Sequence, residues 1–211
     1  MKKENVSPYV IKRLPRYFRY LNELYANGVN RISSKELSEK MNITASQIRQ
    51  DLNCFGVFGQ QGYGYNIELL LGEIKSILGA DRVNKAIIVG VGNIGLALAN
   101  NMKFEKRGVF VTGLFDTDPE KIGKKIKNLT IQSADQLEDF CKRDLPDIAI
   151  LTLPKEHTHD MAQKLASYGI RGFWNFSNVE LNVPRACVEN MHMGDSLMLL
   201  CYSLKNQTNE E

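Results

Sequence analysis

The sequence predicts an α/β protein with an amino-terminal winged helix-turn-helix domain, a doubly wound Rossmann domain and a carboxyl-terminal dimerisation helix. Three observations predict this class. Two short capped helices precede a segment rich in glycine and aromatic residues, a β-branched strand then enters a glycine-rich turn, and strand and helix patterns alternate after that turn. The predicted boundaries are residues 1–80 for the first domain, 81–193 for the second, and 194–211 for the apolar helix and polar tail.

Composition is typical of a cytoplasmic protein. The 211 residues suffice for two modest domains, and the apolar fraction of 43% and charged fraction of 24% are average. No apolar run has the length of a membrane span and no signal-peptide core follows the first residues, so export is not expected. No metal site is expected either, because the four cysteines lack disulfide or zinc spacing and are predicted to be free thiols: Cys54, Cys141, Cys187 and Cys201.

Charge is distributed unevenly along the chain. Residues 1–65 carry 10 Lys or Arg against 5 Asp or Glu, a net charge of +5, whereas residues 66–211 carry 17 against 19, a net charge of −2. A basic first third joined to a slightly acidic remainder suggests that the two parts bind different partners. The alternative interpretation is a solvated basic face.

The amino-terminal third contains the pattern of a helix-turn-helix. Residues 9–27 repeat apolar side chains at the spacing of one buried helical face. Ser33–Glu36 has the sequence of a capping box that opens a short helix through Met41, and Thr44–Gln47 has a second one that opens a helix through about Cys54. Two short capped helices joined by a few residues predict this motif, and residues 55–65 predict a β-hairpin wing because glycines there alternate with aromatic residues.

Polar residues of the second short helix and of the wing are the candidates for DNA contact. Arginine suits guanine edges and glutamine suits adenine edges in the major groove. The alternative is an ordinary solvent-facing surface, with Ile48 and Leu52 toward the core in both cases. The residues predicted to contact double-stranded DNA are Ser46, Gln47, Arg49, Gln50, Asn53, Gln60, Gln61 and Tyr63.

Residues 66–79 predict a further amphipathic helix, with Asn66 as its cap and Gly79 at its end. We interpret this helix as the connector between the two domains. Residues 81–84 then form the predicted boundary loop.

The second domain begins with a strand over residues 86–89 that runs into a GxGxxG sequence followed by a helical pattern. Each glycine has a physical role: Gly90 makes the tight turn, Gly92 lets the backbone approach a pyrophosphate, and Gly95 lets the helix pack closely on the strand. The helix amino terminus, with Asn93 and Ile94 in its first turn, attracts phosphate groups. The context on both sides predicts a dinucleotide site.

The next strand, over residues 109–115, ends in Asp116, which lies 21 residues after Gly95. An acidic side chain there accepts hydrogen bonds from ribose hydroxyls and repels a 2′-phosphate, so the sequence predicts NAD(H) rather than NADP(H). The alternative is an aspartate that caps the turn at the end of the strand.

Alternation continues with a helix over 135–142, a buried strand over 147–153, a helix over 154–168 and a strand over 171–176. The apolar segment Ser196–Leu204 predicts a helix that the sheet does not need. Because such a helix often packs on another subunit, we expect a homodimer, which also suits a palindromic DNA site.

The same motifs, in the same order along nearly the whole chain, resemble those of the Rex family of redox-sensing repressors. The matching segments are Gln47–Leu52, Phe55–Gly59, Gly62–Tyr65, Val89–Gly95, Phe115–Gly123, Ala149–Pro154 and Asn175–Phe176. The resemblance implies repression of fermentation and alternative-respiration genes, with NADH releasing the dimer from its operator and NAD⁺ permitting binding. It also implies further cofactor contacts, at Asp118, Thr152, Leu153, Pro154, Asn175 and Phe176.

The chain departs from the family pattern at several positions. Gln50 and the pair Gln60–Gln61 stand where relatives usually carry basic residues. On the nicotinamide side, the chain has Asn101 in place of a frequent tyrosine, Ser177–Asn178 in place of Ala-Pro, and His192–Met193 in place of an acidic-aromatic pair. These departures leave open a repressor whose redox response is weakened.

Two other functions are alternatives to a repressor. Residues 152–159, with His157 and His159, resemble the loop after a strand in Rossmann oxidoreductases. Those enzymes need a proton-transfer group and a substrate domain, yet no lysine follows Asn175 in the next motif and only 33 residues remain after Asn178, so catalysis is not expected. A third possibility keeps the fold but gives it another nucleotide, such as coenzyme A.

Overall fold

The computed structural model describes residues 7–55, 59–60, 63–101 and 103–207, with backbone alone at 59, 60 and 101. The chain divides between Arg82 and Val83 into two compact units. Each unit has its own buried core and is described by itself.

The first unit has the arrangement of a winged helix. Three short strands form an antiparallel sheet in the order β1-β3-β2, and the turn between the second and third helices is closed by a left-handed Asn42. This confirms the class predicted for the first domain. The elements are α1 (Pro8–Ala26), β1 (Arg31–Ile32), α2 (Ser34–Met41), α3 (Ala45–Asn53), β2 (Gly59–Gln60), β3 (Gly64–Asn66) and α4 (Ile67–Ile77).

The two predicted capping boxes of this unit differ in outcome. At the start of α2, the Ser33 hydroxyl accepts from the Glu36 N–H and the Glu36 carboxylate accepts from the Ser33 N–H, so the first capping box is confirmed. At the start of α3, the Thr44 hydroxyl accepts from the Gln47 N–H, but the Gln47 side chain binds Asp51 instead of closing the box. The second capping box is therefore only half formed.

Helix α4 belongs to the core of the first unit. Its apolar side chains pack with those of α1, and Leu14, Tyr17, Leu21, Ile67, Leu70 and Ile74 are fully buried. Burial of each such side chain contributes about 1.5–3 kcal/mol. The helix that the sequence suggested as a connector is thus a structural member of the winged helix. Residues 80–83 carry the chain to the second unit.

The second unit is a seven-stranded sheet in the order β10-β9-β8-β4-β5-β7-β6, parallel except for the β6–β7 pair. The chain leaves β4 to β5 on one side and later reaches β8 on the other, so the sheet is doubly wound with its switch point at β4. The elements are β4 (Asn84–Val89), α5 (Asn93–Asn101), β5 (Val109–Asp116), β6 (Lys125–Ile126), β7 (Leu129–Ser133), α6 (Leu137–Asp144), β8 (Ile148–Leu151), α7 (Lys155–Ser167), β9 (Gly172–Asn175), β10 (Cys187–Asn190) and α8 (Met193–Gln207).

The predicted Rossmann class is confirmed, and three strands were not predicted. β6 and β7 form a short hairpin after β5, and β10 adds a parallel edge strand beside β9. The predicted terminal helix exists as α8, and none of its side chains is buried. Along the described ranges of the chain, no helix combines the length and the apolar character that a membrane span requires.

Candidate functional site

The carboxyl end of β4 is built by three glycines whose neighbours explain why no larger residue stands there. Gly90 has a φ of +90°, and a Cβ on it would lie 2.7 Å from the carbonyl oxygen of Thr152. A Cβ on Gly95 would lie 2.1 Å from the carbonyl oxygen of Gly90, so the first turn of α5 packs directly on the strand end. Gly92 has no heavy atom within 4 Å of such a Cβ, so its backbone faces open space. Asn93 and Ile94, in the first turn of α5, are exposed beside it.

Asp116 ends β5 next to this turn and is almost fully buried, at 8% exposure. One carboxylate oxygen accepts from the Val91 N–H at 2.6 Å and from Lys121 Nζ at 3.2 Å, and the other accepts from the Asp118 N–H at 2.9 Å. Burial alone raises the pKa of Asp116, but the backbone donors and Lys121 together hold that pKa below its usual range. Asp116 is ionised, with one lone pair left for a hydroxyl group.

Lys121 was not predicted as a site residue. Its Nζ lies 3.2 Å from Asp116 and 3.5 Å from the half-exposed carboxylate of Asp118. Burial alone lowers the pKa of Lys121, but these two carboxylates raise it above its usual value. Lys121 partly neutralises the charge of the two aspartates. The sequence motif gave no indication of this role.

The segment after β8 closes the other side of the glycine turn. Thr152 pairs its N–H with the carbonyl of Val89 at 3.0 Å and its hydroxyl with the carbonyl of Gly90. Leu153 lies in contact range of Gly90, and the Pro154 carbonyl accepts from the Thr158 hydroxyl at 3.1 Å. Thr152 and Leu153 therefore lie against the glycine turn, and Pro154 follows them at the start of α7.

Asn175, at the end of β9, is 1% exposed and has its side-chain hydrogen bonds filled within the protein. Its Nδ2 donates to the Val179 carbonyl and to Asn190 Oδ1, and its Oδ1 accepts from the N–H and the hydroxyl of Ser177. An amide has two donors and two lone pairs, so nothing is left for a ligand. Of the predicted cofactor residues, Asn175 therefore stabilises the end of β9 through its side chain. Phe176 packs edge-on against Trp174, with 4.6 Å between the two ring centroids.

The hydrogen bonds of this support extend to the start of α8. Asn190 donates to Glu180 Oε1 at 3.1 Å, and His192 lies 3.0 Å from Glu180 Oε2. His192, which replaces an acidic residue of the family pattern, therefore has an acidic partner of its own. Met193 begins α8 and is exposed, Asn178 is exposed with a φ of 31°, and the side chain of Asn101 lies outside the described residues.

The histidines that suggested an enzyme are exposed on the first turns of α7. Among the described residues, no hydrogen bond or ion pair joins the side chain of His157 or His159 to another side chain. Across the same residues, no three His, Cys, Asp or Glu side chains are grouped to hold a metal ion.

Helix α3 exposes four of the five residues predicted on it to contact DNA, and the fifth, Gln47, is half-buried. Ser46, Arg49, Gln50 and Asn53 are exposed, while Ile48 and Leu52 are fully buried. Arg49 Nη1 donates to the Ser34 hydroxyl at 3.1 Å, which holds the guanidinium beside the first turn of α2.

The buried carboxylate of Asp51 lies under this surface and was not predicted. Arg13 binds it with two hydrogen bonds of 2.7 Å, and Tyr17 donates to it at 2.9 Å, both from α1. Gln47, one helical turn earlier on α3, donates from Nε2 at 2.9 Å. Burial alone raises the pKa of Asp51, but these donors lower it below its usual range. A buried ion pair with this geometry fixes α3 on α1.

The wing is described only in part. Gln60 lies in β2 by its backbone, and Gln61 and the Gln60 side chain lie outside the described residues. Tyr63 is 71% exposed, and Arg31 of β1 donates to its carbonyl oxygen at 3.4 Å. Arg31 is thus a cation beside Tyr63 that was not among the predicted DNA-contacting residues, although it lies two positions before the first capping box.

Comparison with known proteins gives concordant results for both units. Residues 5–53 match a family model described as "Putative DNA-binding protein N-terminus", and residues 81–179 match one described as "CoA binding domain". The chain is 51% identical over 207 residues to the redox-sensing transcriptional repressor Rex of Clostridium botulinum strain Eklund 17B, covering 98% of this chain and 99% of that protein. It is 50% identical to Rex of Caldicellulosiruptor saccharolyticus, covering 100% and 96% respectively.

Solved structures are similar over nearly the full length. The crystal structure of RSP in complex with β-NAD⁺ and operator DNA matches with a TM-score of 0.88 and 49% identity, covering 97% of this chain and 94% of that one. The structure of RSP in complex with β-NADH matches with a TM-score of 0.86 and 46% identity, covering 96% of each chain. RSP is described as a Rex-family repressor.

Proposed function

The chain belongs to the Rex family of redox-sensing transcriptional repressors, and we propose that it binds a palindromic operator as a homodimer and leaves it when NADH is bound. The observation that carries this proposal is the presence, in one chain, of a winged helix with an exposed polar face on α3 and a glycine-built nucleotide edge on β4. RSP, a full-length relative, has been captured with NAD⁺ on operator DNA and also with NADH. A DNA-bound repressor acts in the cytoplasm.

The residues at the end of β4 fit a dinucleotide. A pyrophosphate can approach the backbone of Gly92, because the space that a side chain would fill there is open. The first turn of α5 supplies the N–H groups that bind its oxygens. Asp116 keeps one acceptor for a ribose hydroxyl. Thr152 and Leu153 border the opposite side of the turn, and Pro154 follows them in the chain. The nicotinamide of the bound ligand is either oxidised, as in NAD⁺, or reduced, as in NADH. To sense the redox state, the protein has only to respond differently to these two forms.

We infer that no reaction is catalysed. The relatives are named as repressors, and among the described residues no side chain orients the exposed His157 or His159. Coenzyme A is the second candidate ligand, because residues 81–179 match a model of that description. Coenzyme A carries a ribose 3′-phosphate, which the ionised Asp116 disfavours. NAD(H) is therefore the ligand that the site supports better.

The direct test is fluorescence anisotropy on a labelled operator duplex, selected by the protein from a random pool, with each nucleotide titrated in turn. NADH is expected to release the protein at concentrations where NAD⁺ does not. Coenzyme A is expected to have no effect. Release by coenzyme A alone would reassign the ligand, and operator binding that no nucleotide changes would identify a repressor whose redox response is lost.

Helix α8 supports the homodimer. Four consecutive apolar side chains of this helix are each more than half exposed: Leu197, Met198, Leu199 and Leu200. An exposed apolar surface of this kind is typical of a protein interface, and we expect a second copy of the chain to bury it. Deletion of residues 194–211 is expected to give a monomer or an aggregate that no longer binds the palindromic duplex. Solution scattering and anisotropy measure both properties, and a truncated chain that remains a well-behaved dimer would contradict this role for α8.

A further inference from the structure

We infer that Asp51 is a positioning residue for base recognition: it fixes the orientation of the Gln47 amide, so that Gln47 presents one defined edge to DNA. This inference rests on the proposed DNA-binding function and assigns a specificity role to a residue that cannot itself touch DNA. The side chain of Asp51 is 1% exposed, whereas Gln47 lies half-buried on the same face of α3, one turn earlier.

Three of the four donors to Asp51 come from α1. Arg13 Nε and Nη2 and the Tyr17 hydroxyl pair the charge and hold α3 in place. The fourth donor, Gln47 Nε2 at 2.9 Å from Oδ1, is not needed to join the two helices because it comes from α3 itself. Its consequence is local, and it concerns the direction of the Gln47 amide.

A glutamine amide can rotate by half a turn and exchange its donor and acceptor ends. Beside an ionised carboxylate only one orientation is stable, because the other would place Oε1 against the negatively charged Oδ1 of Asp51. The donors to Asp51 hold its pKa below the usual range, so the carboxylate is charged at neutral pH. Gln47 therefore keeps Nε2 toward Asp51 and Oε1 away from it.

The oriented amide retains one N–H and the Oε1 lone pairs, and within the described residues its side chain makes no other hydrogen bond. An N–H and an oxygen side by side match the adenine edge, which offers N7 as an acceptor and N6–H₂ as a donor. A bidentate contact of this kind discriminates against a wrong base by roughly 5- to 150-fold. An amide free to rotate would offer either order and would discriminate less.

The test uses the full-length protein and duplexes selected from a random pool. Comparing the sequences enriched by wild type and by Gln47→Ala identifies the base pair that Gln47 reads. Duplexes that differ only at that base pair are then used to measure the ratio of dissociation constants for each variant. Asp51→Asn, whose amide accepts either orientation of Gln47, is expected to lower this ratio toward that of Gln47→Ala.

Tyr17→Phe is the matched control, because it removes a different donor from the same carboxylate and leaves the Gln47 bond in place. It lowers stability, and its ratio is expected to stay at the wild-type value. In the Gln47→Ala background, Asp51→Asn is expected to change the ratio no further. Circular dichroism checks folding. If Asp51→Asn does not fold, Arg13→Gln combined with Asp51→Asn removes the opposite charge with the carboxylate and replaces it in the test.

A wild-type ratio in folded Asp51→Asn, or an equal loss on every duplex, would reduce Asp51 to a group that only joins α3 to α1. Gln47→Ala that alters no base preference would likewise overturn the inference. Wild-type protein that enriches no sequence would instead contradict the proposed function, so the two failures are distinguishable.

Discussion

The two candidate sites are built from different parts of the chain. On α3, the exposed Arg49 and the half-buried Gln47 keep free hydrogen-bonding atoms, and Ser34 and the buried Asp51 hold them in place. At the end of β4 the situation is reversed: the open surface is backbone at Gly92, and Asn175 is saturated by the protein itself. A DNA site must distinguish bases and needs side chains, whereas a pyrophosphate needs close approach and N–H groups.

The largest expected effect tests the backbone side of this comparison. Gly95→Ala places a Cβ 2.1 Å from the carbonyl oxygen of Gly90, so strand and helix must separate, at a cost of about 1–3 kcal/mol or more. The melting temperature of the second unit should fall by several degrees, and NADH binding should be lost. Gly92→Ala has open space around the new methyl group, so its melting temperature should equal that of wild type. Its affinity for NADH, measured by calorimetry, should nevertheless be lower.

Gly72→Ala in α4 is the control for these glycines, because nothing lies within 4 Å and the helix gains about 1 kcal/mol from alanine. It should raise stability and leave NADH binding unchanged. Normal NADH affinity in Gly92→Ala would mean that the pyrophosphate does not approach the backbone there.

Glycines were predictable from sequence because each is required by a backbone conformation or a close approach, and residue type encodes that requirement directly. Hydrogen-bond saturation was not predictable. The partner of Asp51 is Arg13, 38 positions away, and the partner of Asn175 is Asn190 on an edge strand that the sequence did not indicate. β10 was missed because Cys187–Asn190 is short and alternates exposed with half-buried residues, so its pattern lacks the apolar run of a central strand.

The domain class followed from caps and periodicity for a similar reason. Ser33 and Glu36 form a complete capping box because each accepts a hydrogen bond from the backbone N–H of the other. The Gln47 side chain could have closed a second box with the Thr44 N–H, but it donates to the buried carboxylate of Asp51 instead. Local motifs are therefore reliable until a buried ionised group offers a stronger acceptor.

The second prediction concerns Asp116, the buried carboxylate at the nucleotide edge, which keeps an acceptor lone pair. Asp116→Ala should weaken NADH by roughly 10- to 100-fold, since a hydrogen bond to a charged group is worth about 1.5–3 kcal/mol, and should narrow the preference over NADPH. Lys121→Met leaves both aspartates without their cation and should widen that preference. Calorimetry with both nucleotides measures these ratios, and wild-type protein that binds NADPH as tightly as NADH would show that Asp116 only caps its turn.

The smallest expected effect tests the side-chain surface on α3. Arg49 is exposed and held by Ser34 beside the first turn of α2, so its guanidinium is partly oriented before DNA binds. A bidentate contact to guanine discriminates by about 1–3 kcal/mol, and Arg49→Ala should lose that much affinity for the operator while a scrambled duplex loses less. Ser34→Ala should lose a fraction of this, because it frees the guanidinium without removing it. Fluorescence anisotropy over a salt series separates the two roles, since a phosphate contact changes the salt slope by about 1 on every sequence. Equal losses on both duplexes would make Arg49 a phosphate contact, and base reading on α3 would then depend on Gln47 and its neighbours.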